Sequence, residues 1–242
     1  MSQLTQWMDR TFYPDFPKNW DQKQFREDIL HYLRPEDTLL DYGAGRGINP
    51  EMDFRGKARE IYGVDMDTAV LENPYVDEAK VIANDTLPFP DAMFDLVFSN
   101  FVLEHVELPN RVFTEVFRTL KPGGLFISRT PNRLHYVPVI AALTPHWFHQ
   151  LVNSRRDGRL QNSRDVFPTY YRVNSPGSVR RFGLLAGFRV KEIKLFEGRP
   201  EYLRILAPAY AAGILYERVV NSLGLLARFR IGMTAVLEKP RP

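Results

Sequence analysis

The sequence predicts an α/β fold, a mostly parallel sheet with helices on both faces. Three observations carry that prediction. Short apolar runs recur between Thr38 and Thr130 and alternate with segments of helical spacing. The first run, Leu39-Leu40, ends in Asp41 and opens into glycines at alternate positions, Gly43, Gly45 and Gly47. A second run, Ile61-Tyr62-Gly63-Val64, ends in another acid, Asp65, about twenty residues on.

Each element follows in order. Residues 1–20 are rich in aromatics and proline (Trp7, Phe12, Tyr13, Phe16, Trp20) and read as an irregular arm. Asp21 to Leu33 has helical spacing, with Phe25, Ile29, Leu30 and Leu33 on one side. Val81-Ile82-Ala83 leads to Asn84-Asp85 and then Leu87-Pro88-Phe89. Phe94 to Asn100 is the fourth strand. Val112, Val116 and Leu120 form one stripe of a helix that Lys121-Pro122-Gly123-Gly124 ends. Leu125 to Ser128 is the fifth strand.

The rhythm breaks at Pro131 to Pro176, where His135, Tyr136, His146, Trp147, His149, Tyr170 and Tyr171 stand among arginines. Its aromatic richness speaks against disorder. Order returns with a helix from Ser175 to Ala186, capped by Ser175 or Ser178 and closed by Gly187. Strands follow at Phe188–Leu195 and Ile231–Leu237. Tyr202 to Phe229 is strongly apolar but punctuated by Arg204, Arg218 and Arg228. It reads as one or two packed helices, or as a helix lying on a membrane surface.

The chain has 242 residues, 44% hydrophobic and 25% charged, in the range of a globular domain. Without cysteine there is no disulfide, thiolate metal site or cysteine nucleophile. The first residues do not form a signal peptide, and no apolar run nears the ~20 residues of a membrane span. The expected location is the cytoplasm, with membrane association left open. Charge is divided along the chain. Residues 1–132 hold 14 Lys and Arg against 22 Asp and Glu, and the remainder holds 18 against 7. The acidic half suits a cationic ligand. The basic half suits an anionic acceptor or surface, or simply a solvated face.

The pattern D-x-G-x-G-x-G from Asp41 to Gly47, with the ordered elements after it across about residues 36–130, resembles the class I S-adenosylmethionine (SAM)-dependent methyltransferases, in their small-molecule, methyltransferase type 11-like branch. The resemblance implies a Rossmann-like seven-stranded sheet with a lid insertion after the fifth strand. It implies one methyltransferase domain over 1–242: an N-terminal arm and helix (1–35), a SAM-binding core (36–130), a lid (131–176) and C-terminal helices and strands (177–242). Asp41, Gly43, Ala44 and Gly45 would line the methionine portion, and Gly47 would start a helix. Asp65 would take the ribose hydroxyls and Met66 one face of adenine. Asp85 would meet the adenine amine, with Thr86 or Leu87 beside the ring. Asn100 would offer its backbone carbonyl to the sulfonium or ammonium.

His105, in Leu103-Glu104-His105-Val106, is the candidate base or a residue that structures the helix start. Relatives with E-x-x-E-H there hold a metal, but Phe101 replaces the first glutamate, so no metal is expected. His135, Tyr136, Tyr170, Tyr171 and Arg172 are the candidate substrate contacts. The segment Ser99-Asn100-Phe101-Val102 differs from the Asn/Asp-Pro-Pro-aromatic of enzymes that methylate base amines. Arg164 to Arg172 resembles bacterial members associated with surface polysaccharide or lipid-linked glycans. The expected reaction is methyl transfer to oxygen of a small-molecule, sugar or lipid-linked glycan acceptor carrying negative charge. An RNA methyltransferase and a non-catalytic SAM-binding protein are the alternatives.

Overall fold

In the computed structural model, residues 1–14, 16, 19–138 and 168–242 are described. The chain divides into two compact units. The larger holds residues 21–131, 169–194 and 233–242, and the smaller holds residues 1–20, 132–168 and 195–232.

The larger unit is built on the sheet. Its strands are β1 (Thr38–Tyr42), β2 (Glu60–Asp65), β3 (Glu78–Val81), β4 (Phe94–Asn100) and β5 (Leu120–Pro131), then β6 (Arg189–Phe196) and β7 (Gly232–Glu238). The order across the sheet is β3-β2-β1-β4-β5-β7-β6. β1 runs parallel to both β2 and β4, pairing Asp41 with Gly63 and Leu39 with Leu96. The connections first step outward from β1 to β2 and β3, then jump back to β4 on its other side. Such a reversal opens a crevice at the carboxyl ends of β1 and β4, where α/β sheets bind ligands.

One face of the sheet packs against α2 (Trp20–Leu30). Phe25 and Ile29 of that helix are buried with Leu39, Ile61, Leu96, Phe98, Ile127 and Phe54. The rings of Phe25 and Phe54 both meet Phe98 edge-on. The other face packs against α3 (Pro109–Thr119) and α4 (Pro176–Ala186). Phe113 meets Phe126, and Phe117 meets Phe188. Ser175 caps α4 in a reciprocal pair with Ser178, and Gly187 closes it, as the sequence predicts.

Three expectations need correction. The arm at residues 1–20 is not irregular throughout, because Gln3–Phe12 forms helix α1, capped by the Ser2 hydroxyl. Lys121-Pro122-Gly123-Gly124 does not end the helix. α3 stops at Thr119, and those residues already belong to β5. No α-helix follows Gly47. The crossing from β1 to β2 holds only the 3-10 turn Pro50–Met52, and that from β2 to β3 only the 3-10 turn Thr68–Glu72. Pro50 and Gly56 interrupt the first crossing, so its seventeen residues cannot sustain a helix there. Phe54 from that loop and α2 bury the sheet face instead.

In the smaller unit, α1 packs on α5 (Ala207–Ser222) through Met8, Tyr210 and Ile214. α5 is the packed-helix reading of the apolar stretch, and a 3-10 turn, Gly224–Phe229, follows it. Of the expected lid, residues 139–167, with His146, Trp147, His149 and Arg164 to Phe167, lie outside the described residues.

Candidate functional site

The glycine turn sits at the carboxyl end of β1, and two positions in it admit no side chain. A Cβ on Gly43 would stand 2.2 Å from Val102 Cγ2, and one on Gly47 would stand 2.3 Å from Asn73 Oδ1. Both have positive φ, +87° and +72°. Gly47 therefore serves close packing against Asn73 and Pro74, not a helix start. Asn73 completes the fit: its Nδ2 donates to the carbonyls of Ala44 and Gly45, and its Oδ1 accepts from the Tyr75 amide. The amides of Gly43 and Ala44 donate to the Val64 carbonyl, which ties the turn to β2.

Asp41 and Asp65 flank this turn. Asp65 Oδ2 accepts from the Gly45 amide at 2.9 Å, and Oδ1 accepts from the Asp67 amide at 2.9 Å. The acid at the end of β2 thus shapes the glycine loop directly. Asp41 is 7% exposed, and burial, with Asp65 as a nearby like charge, holds its carboxyl well above the usual range. A cation beside it would reverse that preference.

Asn84 and Asp85 both lie in the left-handed region, at φ 56° and 57°, which asparagine and aspartate tolerate better than most residues. Asp85 is raised by burial and accepts a 3.3 Å hydrogen bond from the Tyr42 hydroxyl. Met66 and Thr86 are exposed. Leu87 is buried, and its amide donates to Glu115 Oε2.

α2 reaches this crevice with polar side chains that the sequence pattern did not single out. Gln22 Oε1 accepts from Asn49 Nδ2 at 2.8 Å and from Asn100 Nδ2 at 2.7 Å. Arg26 donates to the carbonyls of Glu51 and Asp53, both at 2.7 Å. The helix thereby holds the helix-free loop after Gly47 and the end of β4 together. Asn100 Oδ1 is buried with no hydrogen-bond partner among the described residues. Arg129, 1% exposed on β5, donates to the Asp21 carbonyl and faces Asp21 Oδ2 at 3.5 Å. Burial pushes its pKa down to about 10, so it stays charged at neutral pH.

Gln22→Leu is expected to lower cofactor affinity by about tenfold, because two half-buried amide groups lose their acceptor at once. Gln22→Glu keeps an acceptor oxygen and is expected to retain most of the affinity. Calorimetric titration of both variants checks this. Equal loss in the two would mean that the shared acceptor is not what positions the loop.

After β4 the chain passes through Phe101, at φ 57°, into the 3-10 turn Leu103–His105. Glu104, not His105, is the buried member. Its carboxyl accepts from the Thr130 hydroxyl at 3.1 Å, and Asn174 Nδ2 donates to Thr130 Oγ1 at 2.6 Å. Burial raises the Glu104 carboxyl above its ordinary range. The Glu104 carbonyl accepts from the amides of Tyr170 and Tyr171, and Arg172 donates to the Glu107 carbonyl at 2.6 Å while lying over the Tyr170 ring. The structure thus brings Tyr170, Tyr171 and Arg172 onto the segment that carries His105.

His135 and Tyr136 belong to the smaller unit. His135 is fully buried, with Nδ1 accepting from the Val137 amide and Nε2 3.3 Å from Glu197 Oε2. Tyr136 stacks beside it and meets Tyr216 edge-on. Burial raises the Tyr136 hydroxyl. No group of three or more metal-ligating side chains is found among the described residues.

Known proteins match this architecture. The family model described as "Methyltransferase domain" matches residues 40–128, from β1 through β5. A Mycolicibacterium smegmatis protein named as a probable S-adenosylmethionine-dependent methyltransferase is 33% identical over 104 residues, 41% of this chain and 40% of that one. A demethylmenaquinone methyltransferase from Symbiobacterium thermophilum is 33% identical over 119 residues, 44% and 47% of the two chains. The chain thus spans less than half the length of these relatives. Among solved structures, the [4+2]-cyclase SpnF aligns with a TM-score of 0.59 at 17% identity, covering 94% of this chain and 85% of that one. The YcgJ protein of Bacillus subtilis aligns at 0.56 and 17% identity, covering 90% and 99%. These structural likenesses show the fold. Residues 40–128 thus match a methyltransferase domain, and the strand order, the glycine turn and the two strand-end acids agree with that match.

Proposed function

We propose that the chain moves a methyl group from SAM to an oxygen of a small-molecule acceptor, and that this acceptor is an anionic sugar or lipid-linked glycan intermediate. One observation carries the cofactor half of the reading. The buried Asp41 carboxyl lies at the end of β1 beside a glycine turn that Asp65 braces through the Gly45 amide. A ligand with an ammonium and a ribose suits these groups: a cation for Asp41, and hydroxyl donors for the remaining lone pairs of Asp65. Met66, Asp85, Thr86 and Leu87 are assigned to the adenine end. Asn100, held by Gln22, is assigned to the amino-acid end.

SAM brings a methyl group already activated on a sulfonium. The chain's task is to hold the acceptor oxygen about 3 Å from that carbon, opposite sulfur, and to exclude water. For a hydroxyl acceptor we assign His105 as the base that removes the proton. Tyr170, Tyr171 and Arg172 are assigned to the acceptor because they are tied to residues 104–107. Arg172 suits a phosphate or carboxylate. His135 and Tyr136 remain further acceptor candidates. The basic half after residue 132 supports an anionic acceptor, and it equally supports RNA as a second reading.

A cyclase shares this fold, so the test must read methyl transfer itself. Titration with SAM and S-adenosylhomocysteine is expected to give micromolar binding that Asp65→Ala abolishes. With radiolabelled SAM, glycan-lipid extract is expected to take up label, and His105→Ala to lose turnover while keeping cofactor affinity. Label in RNA, with affinity that falls steeply with salt, would move the reading to RNA. Binding without transfer to any acceptor would make the chain a SAM-binding protein.

A further inference from the structure

The smaller unit presents an apolar, basic face that is exposed among its described residues. On α5 the buried stripe is Tyr210, Gly213, Ile214, Glu217 and Val220. The opposite stripe, at Ala211, Leu215, Arg218, Val219 and Ser222, is exposed. Leu215 is 67% exposed, and Leu225, just past the helix, is 81% exposed. The face continues onto α1. Arg218 Nη2 donates to the Phe12 carbonyl at 3.1 Å, and Phe12 meets Trp7 edge-on, with Trp7 51% exposed.

Charge on this face has one sign. Residues 1–14 and 205–230 contain two acids, Asp9 and Glu217. Both are engaged inside the unit. Asp9 accepts from Tyr210 at 2.6 Å and from Arg204 at 2.5 Å. Glu217 accepts from Tyr13 at 3.0 Å and from Asn221 at 2.7 Å, and lies 3.4 Å from Arg218 Nε. Arg10, Arg218 and Arg228 are exposed among the apolar side chains. Trp and Leu beside arginines, with the acids turned inward, is the composition that settles into the headgroup region of an anionic bilayer. Among the described residues no helix is long and apolar enough to cross a membrane, so such contact is peripheral.

We propose that this face, formed by the exposed stripe of α5, the turn after it and Trp7 and Phe12, docks the protein onto an anionic phospholipid surface. The proposal deepens the acceptor reading above by placing the enzyme where a lipid-linked acceptor resides. The surface itself stands on the smaller unit alone and does not depend on the cofactor site.

The test is cosedimentation of the full chain with vesicles of phosphatidylcholine alone or mixed with phosphatidylglycerol, at low and high salt. Binding is expected to the mixed vesicles only and to fall with salt. The double variant Leu215→Glu, Leu225→Glu and the single variant Arg228→Glu are each expected to weaken it about tenfold or more. Their melting temperature and SAM affinity are expected to stay at the wild-type level, since all three side chains are exposed. Wild-type protein left in the supernatant with both vesicle types overturns the proposal. So does a dimer, seen by light scattering, that the double variant dissociates, because the face is then an interface between copies. SAM titration of the same preparation separates the readings: vesicle binding without SAM binding removes the methyltransferase activity and leaves the surface, and the converse removes only the surface.

Discussion

Asp41→Asn is expected to raise the melting temperature of the cofactor-free protein and to weaken SAM binding about ten- to hundredfold. The carboxyl is buried at the end of β1 with Asp65 nearby, and both circumstances favour its protonated form. The sign follows from proton binding. In the unfolded chain the group ionises near its ordinary 3.8, whereas the folded chain holds the proton to higher pH. The folded state is therefore penalised as pH rises above that value, and the penalty is complete once the pH exceeds the folded pKa. Asparagine has no proton to lose. At neutral pH the variant is expected to melt higher than the wild type, and its stability should fall less as pH rises above the ordinary 3.8. Binding moves the opposite way. An ammonium that sits beside a carboxylate loses a charge-assisted hydrogen bond in the variant, about 1.5–3 kcal/mol or ten- to hundredfold in Kd. Thermal melts across pH and titration with SAM read the two effects separately. A variant that melts lower and binds as before would remove Asp41 from the cofactor site.

The second large effect is expected at Gly43. An alanine there carries a Cβ into Val102, 2.2 Å from Cγ2, at a φ of +87° that costs an L-residue about 1–2 kcal/mol by itself. Overlap adds a further cost of about 1–3 kcal/mol. Gly43→Ala is therefore expected to lose about 3 kcal/mol of stability. Removing the Val102 methyl groups leaves Val102 Cβ as the nearest atom, at 3.1 Å. The double variant Gly43→Ala, Val102→Ala should recover the overlap part but not the backbone part. A coupling of about 1 kcal/mol or more in the double-mutant cycle checks this. Strict additivity would show that the turn and the segment after β4 do not meet at this point. The contact matters because it fixes the glycine turn against the residues that lead to His105.

Much of the fold was written in local chemistry. Alternating apolar runs marked β1, β2, β4 and β5, and the Ser175, Ser178 and Gly187 caps marked α4 at both ends. The acids that close β1 and β2 could be read as a pair because the strand-end position and the spacing between them are local properties. The absence of helices after Gly47 and after Asp65 was also present in the sequence, in Pro50, Gly56 and Asn73-Pro74. Trp7, Phe12 and the nearby prolines mask the short amphipathic stretch that forms α1.

The sequence by itself determined the sheet, the turn and the two strand-end acids, because each depends on neighbours a few residues away. Only the tertiary structure decided what braces them. Gln22 joins Asn49 to Asn100, Asn73 holds the carbonyls of Ala44 and Gly45, and Glu104 gathers Thr130, Tyr170 and Tyr171. These partners lie tens of residues apart and carry ordinary polar side chains. Burial is what gives each hydrogen bond its weight, and burial is a property of the packed chain rather than of any segment of it.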